Sequence, residues 1–160
     1  MTLLIKSGTL ITASETFKAD ILVEGEKIAM IGPDLQPPAG AQMIDASGML
    51  VLPGGVDAHV HLDLPMFGTV SSDDHYTGTK AAAFGGTTTV IDFVSFDLPG
   101  LRASVDQWHI KAEKAAVDYS AHMNLTRFDE KIAAEIPSLV GMGITTLKTF
   151  TAYNGRLRLE

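Results

Sequence analysis

The sequence has 160 residues, 46% of them hydrophobic, with a mean hydropathy of +0.18, so it can build a buried core and is not expected to be disordered. Twelve basic and nineteen acidic residues give a net charge of -7 and are scattered along the chain, which argues against a nucleic-acid partner and an anionic membrane surface. Cysteine is absent, which excludes disulfides, thiolate metal sites and a cysteine nucleophile.

The first residues, MTLLIKSGTLITASE, lack the basic segment and the long apolar run of a secretory signal. No apolar run approaches the roughly eighteen residues of a membrane-spanning helix. Together with the lack of cysteine, these features predict a cytoplasmic protein that has no membrane or nucleic-acid partner.

Residues 1–52 consist of short alternating segments separated by turn residues. Three segments predict strands: LLIKSGTLIT, ADILVEGEKIAMIG and QMIDASGMLVLPGG. Three groups of turn residues predict hairpin connections: Lys6-Ser7-Gly8, Glu24-Gly25-Glu26-Lys27 and Ala46-Ser47-Gly48. Prolines at positions 33, 37 and 38 place a loop between the second and third segments. We therefore predict a small antiparallel sheet in this part of the chain.

From residue 53 onward, strand-like and helix-like segments alternate, as in βαβ units with a parallel sheet. The predicted strands are VDAHVH, TTTVIDFV, DYSAHMNLT and ITTLKTFTAY, and the predicted helices are DDHYTGTKAAAFGG, LRASVDQWHIKAEKAAV and RFDEKIAAEIPSLVGMG. Pro137 is expected to end or kink the third helix. Such units resemble half of a (β/α)8 barrel, which would leave an open sheet edge, so we expect a truncated chain from a larger protein. A complete four-stranded α/β domain is the alternative.

Two histidines, His59 and His61, are separated by one residue in the first of these strands. Alternation places them on one face together with Asp57, pointing into the barrel at the rim where barrel enzymes keep their sites. Two imidazoles at positions i and i+2 can bind a single divalent cation. A pair of hydrogen-bonded interior histidines is the alternative interpretation.

Lys148 is the second informative residue. It shares a strand face with Thr146 and Phe150, so its amine would point into a largely apolar interior. Burial without a partner disfavours the ammonium and favours the free amine, which can form a Schiff base or add carbon dioxide to become a carbamate. A carbamate can bridge two cations. A lysine that extends along the strand end towards solvent is the alternative.

With these residues and a β-rich segment ahead of them, the chain resembles the amidohydrolase superfamily and, within it, the dihydropyrimidinases, also called D-hydantoinases. The most specific stretches are GTVSSDDHYTGTKAAAFGGTTTVIDF and GITTLKTFTAYNG, whereas DILVEGEKIAMIG and IDASGMLVLPGGVDAHVHLDLP are shared more widely. The resemblance implies an α/β chain with two parts. Residues 1–52 would be the N-terminal part of a small β-sandwich domain, and residues 53–160 the first four β/α units of a metal-dependent-hydrolase TIM barrel.

The resemblance also implies a metal centre. His59 and His61 match the histidine pair of the more buried metal, and Lys148 matches the N6-carboxylated lysine that bridges two divalent metal ions, expected to be zinc. Tyr153 matches the tyrosine that donates a hydrogen bond to the carbonyl oxygen of the scissile amide, and it is expected to contact substrate as well.

The loop LDLPMFG after His61 matches a substrate-gating loop of the family. Leu64 and Met66 of this loop are therefore expected to line the substrate pocket together with Phe150. Apolar side chains at these positions suit the ring substituent of a substrate whose polar amides are recognised elsewhere.

The activity implied for the parent enzyme is hydrolysis of the cyclic amide bond of dihydropyrimidines or 5-substituted hydantoins to N-carbamoyl amino acids, in a homotetramer or homodimer. The other metal ligands and a catalytic aspartate would lie outside this sequence, so the 160-residue chain alone is expected to be inactive. The alternatives are another cyclic amidohydrolase, namely an allantoinase, dihydroorotase or cyclic imidase, and a non-catalytic assembly protein of the same fold. Retention of the expected site residues argues against the assembly protein.

The remaining polar residues receive structural interpretations. His75 is expected at the start of a helix, His109 on a helix surface, and His122 in a hydrogen bond inside the barrel. Asp57 could support a histidine ligand or belong to a turn. Asp92, an acid within an apolar strand, could lie near the site or make a structural hydrogen bond.

Overall fold

The computed structural model describes residues 1–66, 68–96 and 99–159. The chain divides into two compact units, Met1–Pro53 and Gly54–Glu160, and each contains a sheet of its own. Within the described ranges, no helix combines the length and the apolar character that crossing a bilayer requires. Phe67, a residue of the predicted gating loop, lies outside the described residues.

The first unit contains a mixed sheet. Its strands are β1 (Thr2–Ile11), β2 (Thr16–Glu24), β3 (Lys27–Gly32), β4 (Gln42–Asp45) and β5 (Leu50–Val51). β2 runs antiparallel to β1 and β3, whereas β4 and β5 both pair parallel with β1. The prediction of a purely antiparallel sheet is therefore wrong. The proline-containing segment 33–41 carries the chain from the β3 edge of the sheet to the opposite side of β1, and this crossover sets the parallel direction of β4.

The predicted hairpin connections have different outcomes. A two-residue connection between Glu24 and Lys27 joins β2 to β3, so that hairpin is confirmed. Lys6-Ser7-Gly8 instead lies inside β1, where the register with β2 shifts and Ser7 has a positive φ of 61°. These residues form a β-bulge. Ser7 adopts there the left-handed backbone conformation that is also found in many turns. Ala46-Ser47-Gly48 joins β4 to β5. Both of these strands pair with β1 and run in the same direction, so they form no hairpin with each other.

The buried carboxylate of Asp20 stabilises the bulge. It accepts hydrogen bonds from Ser7 N at 2.7 Å and Leu35 N at 3.0 Å, and Lys6 Nζ lies 3.0 Å away. The hydrogen bond from Ser7, followed by that from Lys6, holds the pKa of Asp20 below its ordinary value. Because the pKa is lower in the folded state, the ionised carboxylate stabilises the fold above its unfolded pKa of about 3.9. This contribution is lost as the pH falls through the lower folded value.

We therefore expect Asp20→Asn to flatten the loss of stability at acid pH. The free energy of unfolding, measured by urea denaturation at a series of pH values from neutral to strongly acidic, should fall less steeply below about pH 4 than in the wild type. Asp34→Asn, at an exposed position, is the matched control and should keep the wild-type slope. An Asp20→Asn profile parallel to the wild type would contradict this role.

The second unit is an α/β structure with a parallel sheet. Its main strands are β6 (Gly55–Asp57), β9 (Thr87–Val94), β10 (Asp118–Leu125) and β11 (Leu147–Thr149), in the spatial order β11-β10-β9-β6. The helices α1 (His75–Phe84), α2 (Leu101–Ala112) and α3 (Glu130–Gly141) connect them in turn. The predicted alternation of strands and helices is confirmed. A short antiparallel hairpin of β7 (Pro65–Met66) and β8 (Thr69–Val70), which was not predicted, follows His61.

Three boundaries differ from the predictions. The first parallel strand ends at Asp57, before both histidines, and the last covers only Leu147–Thr149. Helix α3 continues through Pro137 to Gly141. Proline removes one intrahelical hydrogen bond, and the buried side chains of Ile132 and Leu139 hold the helix on the sheet on either side of it.

The core of the second unit lies between the sheet and helices α2 and α3. Its residues share nearly complete burial, with at most 7% of each exposed. They are Val94, Leu101, Val105, Trp108, Ala112, Ala121, Met123, Leu125, Ile132, Leu139 and Ile144. On β10 the buried members alternate with Ser120, His122 and Asn124, so the opposite face of this strand carries the polar residues.

Asp92 is a buried carboxylate on the helix-facing side of β9. It accepts hydrogen bonds from Trp108 Nε1 at 2.9 Å, from His75 Nε2 at 3.0 Å and from Leu62 N at 3.4 Å. A carboxylate that is 2% exposed needs such donors, because burying it without partners would be costly. Asp92 therefore makes structural hydrogen bonds that join α1, α2 and the chain after His61 to β9.

We expect Asp92→Asn to lower the free energy of unfolding by about 1–3 kcal/mol, because an amide cannot accept from all three donors and leaves a buried group unpaired. Fluorescence of Trp108, the single tryptophan, during urea denaturation measures the change. Asp106→Asn is the control, since this exposed carboxylate forms a long 3.9 Å ion pair with the exposed Arg102 and its replacement should change stability by less than about 0.5 kcal/mol. Equal effects of the two substitutions would argue against the buried network.

Candidate functional site

Phe93, near the end of β9, is the residue on which the predicted metal ligands converge. Its ring is buried, and its centroid lies 4.7 Å from that of His59 and 4.8 Å from that of His61. The His122 ring lies 5.0 Å away, and Lys148 Nζ lies 5.2 Å from the Phe93 centroid. The structure thus brings together His59, His61 and Lys148, which come from the two opposite edges of the parallel sheet.

The backbone that carries the two histidines differs from the predicted strand. Asp57 Oδ1 accepts a hydrogen bond from His59 N at 3.1 Å, which takes this amide out of the β-ladder. Val60 N still donates to Ile91 O at 3.2 Å, so the segment continues to follow β9 after the strand ends. The two imidazoles lie 5.2 Å apart at an angle of 81° between their planes. Both rings lie against Phe93 and therefore on the same side of β9.

The ring nitrogens of the histidine pair can accept a ligand. Among the described residues, no hydrogen bond or ion pair engages the ring of His59 or His61 or the amine of Lys148. Partial burial lowers the pKa of His61, and the neighbouring His59 and Lys148 act in the same direction. The neutral imidazole, which is the form that binds metals, is favoured as a result.

Lys148 is half-buried between two aromatic rings, with its Nζ 5.2 Å from the Phe93 centroid and 5.1 Å from the Phe150 centroid. Its partner in the parallel register is Asn124, whose side-chain oxygen is buried and has no hydrogen-bond partner among the described residues. Paired residues of neighbouring strands face the same side of a sheet, so this oxygen is an available acceptor on the face that carries the amine. Asn124 was not singled out from the sequence as a site residue.

The residues expected to bind substrate lie farther from one another than the expected metal ligands do. Tyr153 is 60% exposed with a positive φ of 67°, and its ring lies 6.2 Å from that of Phe150. Leu64 and Phe93 both line a cavity of about 180 Å³ that also borders α2. Met66 lies exposed in β7 and is not among the residues lining this cavity.

The donor set suits part of a metal centre. Two imidazoles without protein partners supply nitrogen ligands, and the nearby amine of Lys148 could supply oxygen ligands after carboxylation. Within the described ranges, no group of three or more histidine, cysteine, aspartate or glutamate side chains is arranged to hold a metal ion. These residues therefore fit a metal site to which the described part of the chain contributes only some of the ligands.

The other histidines and acids have structural contacts. His75 begins α1 and is buried against Asp92. His109 lies exposed on α2, and its ring packs edge-on against Trp108 and Tyr119. Phe93, which contacts both histidine rings, was not identified from the sequence, whereas His122 makes a hydrogen bond, as expected, with the carbonyl oxygen of Ala58. Alternation along TTTVIDFV could have found Phe93, because it puts this ring on the face opposite Asp92.

Comparisons with known proteins identify close relatives, although no protein-family model matches the chain. The chain is 46% identical over 156 residues to a D-hydantoinase of Geobacillus stearothermophilus, covering 96% of the chain and 33% of that relative. It is 41% identical over 162 residues to dihydropyrimidinase 2 of Caenorhabditis elegans, covering 97% and 31%. The crystal structure of a dihydropyrimidinase from Brevibacillus agri matches with a TM-score of 0.95 and 46% identity, covering 100% of this chain and 35% of that one.

The similarity extends over nearly all of the chain, in sequence and in backbone structure. The chain spans about a third of the length of the relatives that it matches. Over that span, the level of identity and the agreement of the folds are those of homologous proteins. This chain belongs to the D-hydantoinase and dihydropyrimidinase family.

Proposed function

We propose that the chain forms part of a metal-dependent cyclic amidohydrolase, which hydrolyses the cyclic amide bond of dihydropyrimidines or 5-substituted hydantoins to N-carbamoyl amino acids. The convergence of His59, His61 and Lys148 on the ring of Phe93 is the observation that carries this proposal. The names of the relatives, D-hydantoinase and dihydropyrimidinase, support this choice of ring over the allantoin, dihydroorotate and imide alternatives.

The proposed architecture is the first half of a (β/α)8 barrel at residues 53–160, preceded by the N-terminal part of a β-sandwich at residues 1–52. Side chains from both edges of the sheet lie within about 5 Å of the Phe93 ring on β9, so they occupy the same face of the sheet, as the inner face of a barrel requires. The histidines follow the carboxyl end of β6, where barrel enzymes carry their sites.

Two divalent metal ions, with zinc the expected element, would complete the site. His59 and His61 would bind one of them, and Lys148, carboxylated on Nζ by carbon dioxide with release of a proton, would bridge the two. When bound, such ions polarise an amide carbonyl and lower the pKa of water so that a nucleophile exists at neutral pH. Carboxylation of the free amine would give an anion suited to metal binding.

The aromatic residues after β11 would act on the substrate. Tyr153 would donate a hydrogen bond from its hydroxyl to the carbonyl oxygen of the scissile amide, where negative charge develops in the transition state. Phe150 supports this arrangement, because it contacts both the Tyr153 ring and the amine of Lys148. Leu64 and Met66 would form the apolar wall for the ring substituent.

The proposed setting is the cytoplasm, with a small cyclic amide or ureide as the binding partner and a homotetramer or homodimer as the assembly. The chain spans about a third of its relatives, so the remaining metal ligands and the aspartate that moves the proton would come from residues outside this sequence. Retention of His59, His61, Lys148 and Tyr153 supports an enzyme over a non-catalytic assembly protein.

The proposal predicts that the 160-residue chain alone does not hydrolyse hydantoin or dihydrouracil. Its described residues supply too few ligands for two cations. Release of the N-carbamoyl product by the purified chain with added zinc and bicarbonate should not exceed that of Lys148→Ala. Hydrolysis above this control would show that the site is complete within these residues.

In the whole protein that contains this chain, Lys148→Ala should remove most of the bound metal, as measured by elemental analysis.

In the same protein, Tyr153→Phe should keep the metal and lower kcat for dihydrouracil or hydantoin by about 10²–10³-fold, because one oxyanion donor is lost. Arg102→Ala, at an exposed position on α2, is the control and should change neither quantity. A wild-type protein without metal, or one that hydrolyses only allantoin, would refute the proposed activity.

A further inference from the structure

The segment Ala58–His61 carries both histidines of the candidate site but has few backbone contacts with the sheet. The ladder between β6 and β9 ends at the pair Asp57 and Val90. Beyond it, one backbone hydrogen bond, from Val60 N to Ile91 O at 3.2 Å, attaches the segment to β9. Side-chain contacts therefore contribute to the orientation of the two rings.

His122, on the neighbouring strand β10, supplies such a contact. Its Nε2 lies 3.0 Å from the carbonyl oxygen of Ala58, the residue that precedes His59. Its Nδ1 is hydrogen-bonded to Thr146 Oγ1, just before β11, and its ring packs on Phe93 with the centroids 5.0 Å apart. This one imidazole therefore contacts the histidine segment, the strand that carries Phe93 and the chain leading to Lys148.

The partners of His122 fix the orientation of its ring. A carbonyl oxygen can only accept, so Nε2 donates its hydrogen to Ala58 O. The Thr146 hydroxyl, which can donate or accept, engages Nδ1. With both nitrogens engaged, His122 is held in one orientation and is not free to bind a metal itself.

We propose that His122 is a positioning residue that fixes the Ala58–His61 segment and thereby sets the directions of the His59 and His61 rings. The support is mechanical, since His122 holds the backbone ahead of His59 while Phe93 provides the surface on which both rings rest. The consequence for metal binding rests on the function proposed above. Residues that orient metal ligands typically change metal affinity by 10–100-fold when they are removed.

Three substitutions in the 160-residue chain test this role. His122→Ala removes both hydrogen bonds, and His122→Gln keeps a donor that can reach the Ala58 carbonyl. Thr146→Val removes only the hydroxyl that holds Nδ1. His109→Ala, at an exposed histidine of α2, is the matched control. The measurements are amide hydrogen exchange of His59 and Val60, nuclear Overhauser contacts between the histidine rings and Phe93, and the Kd for Zn²⁺ alone.

His122→Ala should lose the ring contacts of His59 and His61 with Phe93, exchange the Val60 amide faster, and weaken Zn²⁺ binding 10–100-fold. The unfolding midpoint of the core, followed by Trp108 fluorescence, is measured in parallel to separate positioning from global stability. His122→Gln should restore most of the ring contacts, and His109→Ala should resemble the wild type. If His122→Ala does not fold, Thr146→Val decides the question by the same ring contacts.

The outcomes separate this inference from the proposed function. Unchanged ring contacts in His122→Ala, or in Thr146→Val where that variant decides, would overturn the positioning role even if the wild-type chain binds Zn²⁺. Lost ring contacts, with rescue by glutamine, would support the role. If the wild-type chain then leaves the His59 and His61 resonances unchanged when Zn²⁺ is added, the positioning role stands and Zn²⁺ binding by this chain alone is refuted, whereas elemental analysis of the whole protein tests the proposed metal site.

Discussion

The pleat of β9 is the constraint on which the second unit depends. Successive residues of a strand face opposite sides of the sheet, so Asp92 and Phe93 must serve different layers. The carboxylate of Asp92 binds Trp108 and His75 on the helix side, while the Phe93 ring supports His59 and the other site residues on the opposite side. A slip of one residue in this strand would bury the ring among the helices and turn an acid towards the candidate ligands. The helix-side hydrogen bonds thus also hold the site-side ring in register.

The histidine pair and Lys148 are oriented by aromatic contacts. Their contacts are with aromatic rings rather than with acidic partners, so the amine and the imidazoles keep their binding capacity instead of using it on protein groups. Aromatic contacts orient these side chains while leaving their donor atoms accessible. This arrangement is what the proposed metal site requires of these three residues.

The sequence predicted the regular elements well where neighbouring residues alone determine the structure, as in an alternating strand or a capped helix. TTTVIDFV is observed as a strand over Thr87–Val94, and helix α1 begins directly after Asp74, whose side chain accepts from Thr77 N at 2.8 Å. The prediction was wrong where a side-chain hydrogen bond to the backbone decides the local structure. Ser7 belongs to a bulge because Asp20 binds its amide, and the strand before His59 ends because Asp57 binds the next amide but one. The contact of His59 and His61 with one aromatic ring could not be read from their own segment, since Phe93 lies some thirty residues further along the chain. The roles of His59, His61, Lys148 and Tyr153 in catalysis stay predictions.

The contrast between the two sheets has a kinetic consequence. The β2–β3 hairpin closes over a two-residue connection, and such hairpins form in about 1–10 microseconds. Each pairing of the second sheet is parallel, so β9 and β10 cannot meet until the segment containing all of α2 has formed or collapsed between them. The chain loses conformational entropy when these longer loops close, and it does so before the strands form the contacts that compensate for this loss. The first unit therefore has a local nucleus for folding, whereas the unit with the candidate ligands must organise a helix and two strands together.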